Sequence, residues 1–221
     1  MKLGIYGGTF NPIHYGHLRT AQEVLEGFFL DKVLFIPAGK TPFEKPELIK
    51  ASHRYKMVKD AISDNPGFGI SDIEIKAKGK SFTIDTIMKL RNRYAESELY
   101  FILGIDAFLD LPHWKQPDKI VNLTNMVIIA RPGFAFADLA SSPYLKKVSK
   151  KVLKELDRGN KDLFSFDISR RQKGILFNVT GLDISASNIR NLIISGKNVK
   201  YLLPDSAESY IMTRKLYMRN R

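Results

Sequence analysis

Two histidines three residues apart, His14 and His17, follow the turn Gly7-Gly8-Thr9-Phe10-Asn11-Pro12 and stand where an apolar-periodic segment begins. The run before them, Lys2 to Tyr6, reads as a short strand. Gly7 and Gly8 allow a sharp turn with no Cβ in the way, and Pro12 marks a bend. Strand, glycine turn and helix start gather free backbone N–H groups at the positive end of a helix dipole, an arrangement suited to an anion. Residues i and i+3 share a helix face, so both imidazoles can point at that anion. Two other readings compete on these residues alone. One is an ordinary turn with incidental histidines, because short glycine motifs match by chance. The other is a zinc half-site. It is disfavoured because zinc sites take three or four ligands, and the chain has no Cys and only His53 and His113 besides.

Further groups of the same chemical kind are spread along the chain. The loop Ala38 to Pro46 carries Lys40 and Lys45, either solvated or closing over a phosphate. Thr83 and Asp85, in Ser81-Phe-Thr-Ile-Asp-Thr86, read first as helix-capping residues. Asp106, in Gly104-Ile-Asp106, stands just beyond a strand and can accept hydrogen bonds from ribose hydroxyls, cap a helix, or both. Trp114, the chain's single tryptophan, lies in Leu111-Pro-His-Trp-Lys115 and suits either the core or a flat ring to stack on. Near the C-terminus, Ser185 or Ser187 caps a helix through about Ser195, ended by Gly196. Arg190, one turn inside it, can reach back to the N-terminal anion.

The elements that must position these groups alternate. Helical spacing appears over Leu18–Phe29, Ser52–Asp64, from the Ser81–Thr86 stretch to about Tyr94, over Pro143–Asp157, and from Asp205 to Met218. Lys32–Pro37, Glu98–Leu103, Asn125–Ala130 and Ile175–Val179 are short apolar runs of the kind that form buried parallel strands, and Phe68–Ile75 alternates like a strand. The pattern predicts an α/β fold: a Rossmann-like, doubly wound, mostly parallel sheet with helices on both faces. Ligands in such sheets bind beyond the carboxyl ends of the strands, at the topological switch point. Gly8, His17, Asp106 and Ser187 all fall just past predicted strand ends and are expected to converge there. No Walker-type glycine loop and no internal repeat is present.

With 221 residues, the chain reads as a single domain, with a less regular basic elaboration at about 134–173. No window approaches eighteen continuous apolar residues, the start lacks a signal-peptide layout, and there are no cysteines. Together these predict a cytoplasmic protein with no membrane partner. The net charge of +12 favours phosphorylated partners or polyanions. Between Tyr144 and Lys173, ten Lys or Arg stand against four Asp or Glu, so half the excess lies in one stretch. A nucleic-acid-binding surface there is the reading from a different class, disfavoured because aromatic residues are not interleaved with the lysines.

The string Gly7-to-His17, with its His-x-Gly-His element, and Ile184-Ser-Ala-Ser-Asn-Ile-Arg190 resemble the paired motifs of the nucleotidyltransferase superfamily. Ser81–Thr86, Gly104-Ile-Asp106, Leu111–Lys115, Arg131-Pro-Gly133 and Leu202-Leu-Pro-Asp205 narrow the resemblance to bacterial nicotinate-nucleotide adenylyltransferases. Asn11 stands where many relatives have Asp, and Ala186 and Asn188 replace a more usual Ser and Thr. The resemblance implies adenylyl transfer from ATP to nicotinate mononucleotide, with Mg²⁺ carried on the ATP phosphates and no metal held by the protein itself. It implies catalytic roles for His14, His17 and Arg190. ATP contacts are implied from Gly7, Gly8, Thr9, Phe10, His17, Lys45, Gly104, Asp106, Ser187 and Arg190, and mononucleotide contacts from Thr83, Asp85, Trp114 and Lys115. An adenylyltransferase for nicotinamide mononucleotide or phosphopantetheine shares much of this machinery, and homo-oligomerisation is left open.

Overall fold

The computed structural model describes residues 1–41 and 47–218. Seven strands form one sheet: β1 (Lys2–Gly8), β2 (Lys32–Pro37), β3 (Phe68–Ile70), β4 (Glu98–Gly104), β5 (Asn125–Ile129), β6 (Leu163–Asp167) and β7 (Lys173–Phe177), in the order β3-β2-β1-β4-β5-β7-β6. Every pairing is parallel except β6 with β7. The chain runs β1 to β2 to β3 outward on one side, then returns to place β4 on the other side of β1. The switch point therefore lies between β1 and β4, where the glycine turn and Gly104-Ile-Asp106 both emerge.

Strand side chains alternate between two cores, one on each face of the sheet. Leu3 and Ile5 of β1 pack with Ile84, Ile87, Leu99 and Phe108. Tyr6 faces the other way and packs with Val24, Phe35, Met57 and Ile189. The helices over the first face are α1 (Tyr15–Gly27), α2 (Ala51–Ala61), α7 (Ala186–Ile194) and α8 (Asp205–Thr213). Those over the second are α3 (Thr83–Arg93), α4 (Ile105–Asp110), α5 (Pro117–Leu123) and α6 (Lys150–Asp157). The fold class is that expected from the alternating pattern. No helix among the described residues is long and apolar enough to cross a membrane.

Several boundaries differ from the sequence reading. The strand predicted over Phe68–Ile75 stops at Ile70, because β3 is an edge strand paired with only three residues of β2, and residues 73–76 coil into turns. The helix predicted over Pro143–Asp157 is broken. A 3-10 turn spans Pro143–Leu145, and α6 starts afresh where the Ser149 hydroxyl accepts from Val152 N–H. The final helix ends at Thr213 instead of Met218, and the chain then turns back through positive φ at Lys215 and Tyr217. Strand β6 was not foreseen. Its Phe164 and Phe166 pack inward while Leu163, Ser165 and Asp167 face out, an alternation visible in the sequence but masked by the lysine-rich stretch around it. The turn before β7 carries Arg170, which with Lys146 and Lys147 lines a hollow of 520 Å³. That turn precedes the start of a parallel strand, so this part of the basic stretch lies at the opposite end of the sheet from the switch point.

Candidate active site

Three adjoining hollows open at the carboxyl end of the sheet, and Thr9 and Asp106 border all three. The first, of 540 Å³, is walled by Phe10, Asn11, His14, His17, Arg131, Ser187 and Arg190. Helix α1 begins at Tyr15, three residues earlier than the apolar spacing suggested, so His14 is its N-cap and His17 stands in its first turn. The two rings lie 3.7 Å apart between centroids, tilted by 34°. Phe10, itself buried, presents its edge to His17 at 5.1 Å. Both nitrogens of His14 and Nδ1 of His17 are buried and have no hydrogen-bond partner among the described residues. Unpaired polar atoms of this kind cost free energy unless a ligand satisfies them. Burial pushes the His14 pKa down to about 4, helped by the nearby Arg131 charge. Burial holds His17 well below its ordinary value too, reinforced by His14 and Arg131. Both imidazoles are therefore neutral at pH 7.

Arg190 closes the far side. From the first turns of α7 its guanidinium donates to the Asn11 carbonyl at 2.9 Å and the Ser187 hydroxyl at 3.3 Å, and it grips Glu47 Oε2 through Nε at 3.0 Å and Nη2 at 2.6 Å. Of the two serines proposed as the cap of this helix, Ser185 is the cap, accepting from Asn188 N–H at 3.1 Å. Ser187 is left to face Arg190. Lys45 lies outside the described residues.

The second hollow, 220 Å³, runs between Gly7, Gly8, His17, Gly104 and the segment Thr180–Ile184. Asp106 hangs over its mouth. The cap position of α4 is Gly104, with no side-chain cap bond, so Asp106 sits inside the first turn and the capping alternative does not hold. Its Oδ2 accepts from Arg131 at 2.7 Å, whereas Oδ1 is buried and has no partner among the described residues. A Cβ on Gly104 would stand 2.5 Å from that oxygen, so the carboxylate can take this place only over a glycine.

The third hollow, 460 Å³, is more apolar: Ile5, Ile36, Phe82, Ile87, Phe101 and Trp114 line it together with Gly7, Thr83, Glu74 and Lys115. Trp114 is pinned by its indole N–H to Asp110 at 3.1 Å, with its edge toward Phe101 at 6.3 Å. Thr83 and Asp85 do not cap α3, whose cap position is Phe82 with no side-chain cap bond. Thr83 lines the hollow instead. Asp85 is not on its wall; it pairs with Lys115 at 3.1 Å, and the Lys115 ammonium also lies over the Phe82 ring at 4.6 Å.

Reasoning on the sequence missed four participants. Arg131 appeared only as part of a matched motif, although it pairs with Asp106. Glu47, the buried Arg54 and Glu74 carried no local signal, since their partners lie on other elements or are backbone carbonyls. Among the described residues no three His, Cys, Asp or Glu side chains cluster to hold a metal ion.

Comparison with known proteins agrees with this geometry. The cytidylyltransferase-like family model matches residues 5–192. A "Probable nicotinate-nucleotide adenylyltransferase" of Geotalea uraniireducens is 40% identical over 221 residues, covering 98% of both chains. A protein of the same name from Syntrophotalea carbinolica is 41% identical over 225 residues, covering 98% of this chain and 97% of its own. Among solved structures, the nicotinic acid mononucleotide adenylyltransferase of Plasmodium falciparum complexed with NaAD superposes with a TM-score of 0.72 at 20% identity, over 98% of this chain and 97% of that one. At that identity the likeness speaks for the fold.

Proposed function

Because the chain belongs to the nicotinate-nucleotide adenylyltransferase family, within the cytidylyltransferase-like proteins, we propose that it transfers the adenylyl group of ATP to nicotinate mononucleotide. The products are deamido-NAD and pyrophosphate. The observation that carries this reading is the junction of a polar hollow holding two unsatisfied histidines and Arg190 with an apolar hollow walled by Trp114, through Thr9 and Asp106.

The assignments follow from the chemistry of each wall. His14, His17, Ser187, Arg190 and the N–H groups of the Gly7–Phe10 turn face the triphosphate. Lys45 is a further phosphate contact by resemblance. Asp106 Oδ1, an acceptor with no donor, suits the adenosine ribose hydroxyls, with Gly104 giving it room. Trp114 stacks on the pyridine ring, and Thr83 stands by the nicotinate carboxylate. Lys115 borders the same site, positioned by Asp85. Mg²⁺ enters as part of the nucleotide substrate, bridging phosphate oxygens, in keeping with its preference for phosphate and water ligands.

The 5′-phosphate oxygen of the mononucleotide attacks the α-phosphorus in line as the bond to the β-phosphate oxygen breaks. A phosphate monoester dianion is already a nucleophile, so the protein needs no general base. Its work is positioning and stabilisation of charge. The two histidines are suited to that by being neutral, through burial, before phosphate binds. A phosphate oxygen supplies both the missing acceptor and a negative charge that raises the imidazole pKa, so positive charge is drawn to the place where negative charge develops.

The test is to incubate the purified protein with ATP, Mg²⁺ and either nicotinate or nicotinamide mononucleotide, and to measure pyrophosphate and dinucleotide. Strong preference for the acid is expected. Preference for the amide would overturn the reading of the pyridine hollow, and silence with both would overturn the function.

A further inference from the structure

Arg54, on α2, touches none of the three hollows, yet it is among the largest side chains removed from solvent, at 1% exposure. No carboxylate pairs with it among the described residues. Its guanidinium instead collects four backbone carbonyls: Thr9 at 2.7 Å, Ala38 at 2.5 Å, Gly39 at 3.4 Å and, through Nε, Ile49 at 3.2 Å. A buried charge with no counter-ion in contact, only the Glu74 carboxylate at longer range, is costly and persists only where such dipoles compensate it. Core helices are ordinarily filled with apolar side chains at such positions, so this arrangement calls for a reason.

Three facts supply one. Thr9 and Ala38 follow directly on the carboxyl ends of neighbouring strands, β1 and β2, which are also joined there by Ala38 N–H to the Gly8 carbonyl at 2.8 Å. Thr9 borders the phosphate hollow, and Ala38 borders the apolar one. In a trans peptide the carbonyl and the following N–H point in opposite directions. Drawing the Thr9 carbonyl back onto Arg54 therefore turns Phe10 N–H away from it, on the side where Thr9 and Phe10 line the phosphate hollow. Drawing back the Ala38 carbonyl turns Gly39 N–H toward Glu74, whose carboxylate accepts from it and from the Thr86 hydroxyl at 2.8 Å. One rigid fork thus sets the walls of both hollows at once.

We propose that Arg54 is a positioning residue that fixes the spacing and orientation of the two substrate sites relative to each other. This rests on the reading of the hollows as ATP and mononucleotide sites. Arg54 touches neither substrate. Its loss shifts one wall against the other while the side-chain contacts of each site stay in place. In-line transfer is sensitive to that shift, since a displacement of about 1 Å costs on the order of 10²-fold in rate.

The experiment compares Arg54→Lys, which keeps the charge but loses the planar fork, and Arg54→Gln, which loses the charge, with the wild type. Turnover per folded molecule, both KM values and the thermal midpoint are measured. A fall in kcat of about 10- to 100-fold for Arg54→Lys is expected. Each KM should stay within about threefold, and Arg54→Gln should be the slower variant. Wild-type kcat in a folded Arg54→Lys protein, whatever its thermal midpoint, overturns the proposal, as does a loss confined to the KM of one substrate. Should the arginine variants fail to fold, Gly39→Ala decides by the same criteria. A Cβ there would stand 2.2 Å from the Glu74 carbonyl oxygen, so either the Ala38–Gly39 segment that Arg54 holds or the Glu74 segment facing it has to move. An inactive wild type would refute the enzymatic reading itself and is a separate result.

Discussion

Acidifying the ligand-free protein should destabilise it well before its carboxylates titrate, because two imidazoles are buried without partners. In the unfolded chain a histidine takes up its proton near 6.5, whereas His14 in the folded protein does so only near 4. Between these values the unfolded state binds more protons, so stability is full above about 6.5 and drains away as the pH falls toward 4. For His14 alone the whole window corresponds to about 3 kcal/mol, of which about 2 kcal/mol is gone at pH 5. His17, also held below its ordinary value, adds a loss of the same sign. The assay is urea denaturation followed by circular dichroism at pH 7.5, 6 and 5, on the wild type and on His14→Gln, which cannot titrate. The wild type should lose about 2 kcal/mol more than the variant over that range. Parallel pH profiles would refute the claim that the empty site holds His14 neutral. ATP tests the other half of the argument: calorimetry in buffers of different ionisation enthalpy should show proton uptake on binding near pH 6, as phosphate raises the imidazole pKa.

Two further outcomes follow from the same site. His17→Ala should cut turnover by about 10²-fold or more, the scale for losing a preorganised donor in the transition state; near-normal turnover in a folded variant would remove His17 from the chemistry. Glu47→Gln should lower the KM for ATP by about two- to fivefold, because it weakens a carboxylate that holds Arg190 at 2.6 Å and must be exchanged for phosphate; a rise in KM would mean instead that Glu47 presents Arg190 to the triphosphate.

How much of this could be read from the chain depends on how local each cause is. The central strands β1, β2, β4 and β5 were legible because strands buried on both faces are nearly continuous apolar runs, and their parallel direction followed from the alternation with helices. The edges were not. β3 was over-extended and β6 missed, since an edge strand owes its length to a single neighbour and not to its own composition. The break at Ser149 shows the same limit. The spacing Tyr144, Val148, Val152, Leu156 is a good helical stripe, but the structure buries Leu145, Leu153 and Leu156, and a serine cap restarts the helix between them.

The site divides along the same line. Gly7, Gly8, His14, His17, Asp106 and Ser187 sit at junctions of strand and helix, which sequence reveals, and they do converge. What sequence hides is the pairing that prepares them. Arg190 finds Glu47 and the Asn11 carbonyl across more than a hundred residues, Arg131 finds Asp106, and Arg54 draws in carbonyls from two strand ends. Asn11 is instructive, standing where the sequence resemblance sets an Asp. Its amide donates to the Glu47 carbonyl at 3.1 Å while its oxygen accepts from Tyr217 at 2.8 Å, a division of labour an ionised carboxylate cannot perform. The C-terminal turn thus bears on the same loop that carries the partner of Arg190. The two arginines in the hollows are paired with carboxylates, and the histidines are uncharged. The pocket therefore stores little net charge until phosphate arrives. Since the Lys146, Lys147 and Arg170 cluster lies at the far end of the sheet, the +12 of the chain is a poor guide to how the nucleotide is held. On the proposed reading, exchange of local partners, Glu47 for phosphate at Arg190 and an unmet hydrogen bond for a met one at His14, is what would make this end of the sheet a nucleotide site.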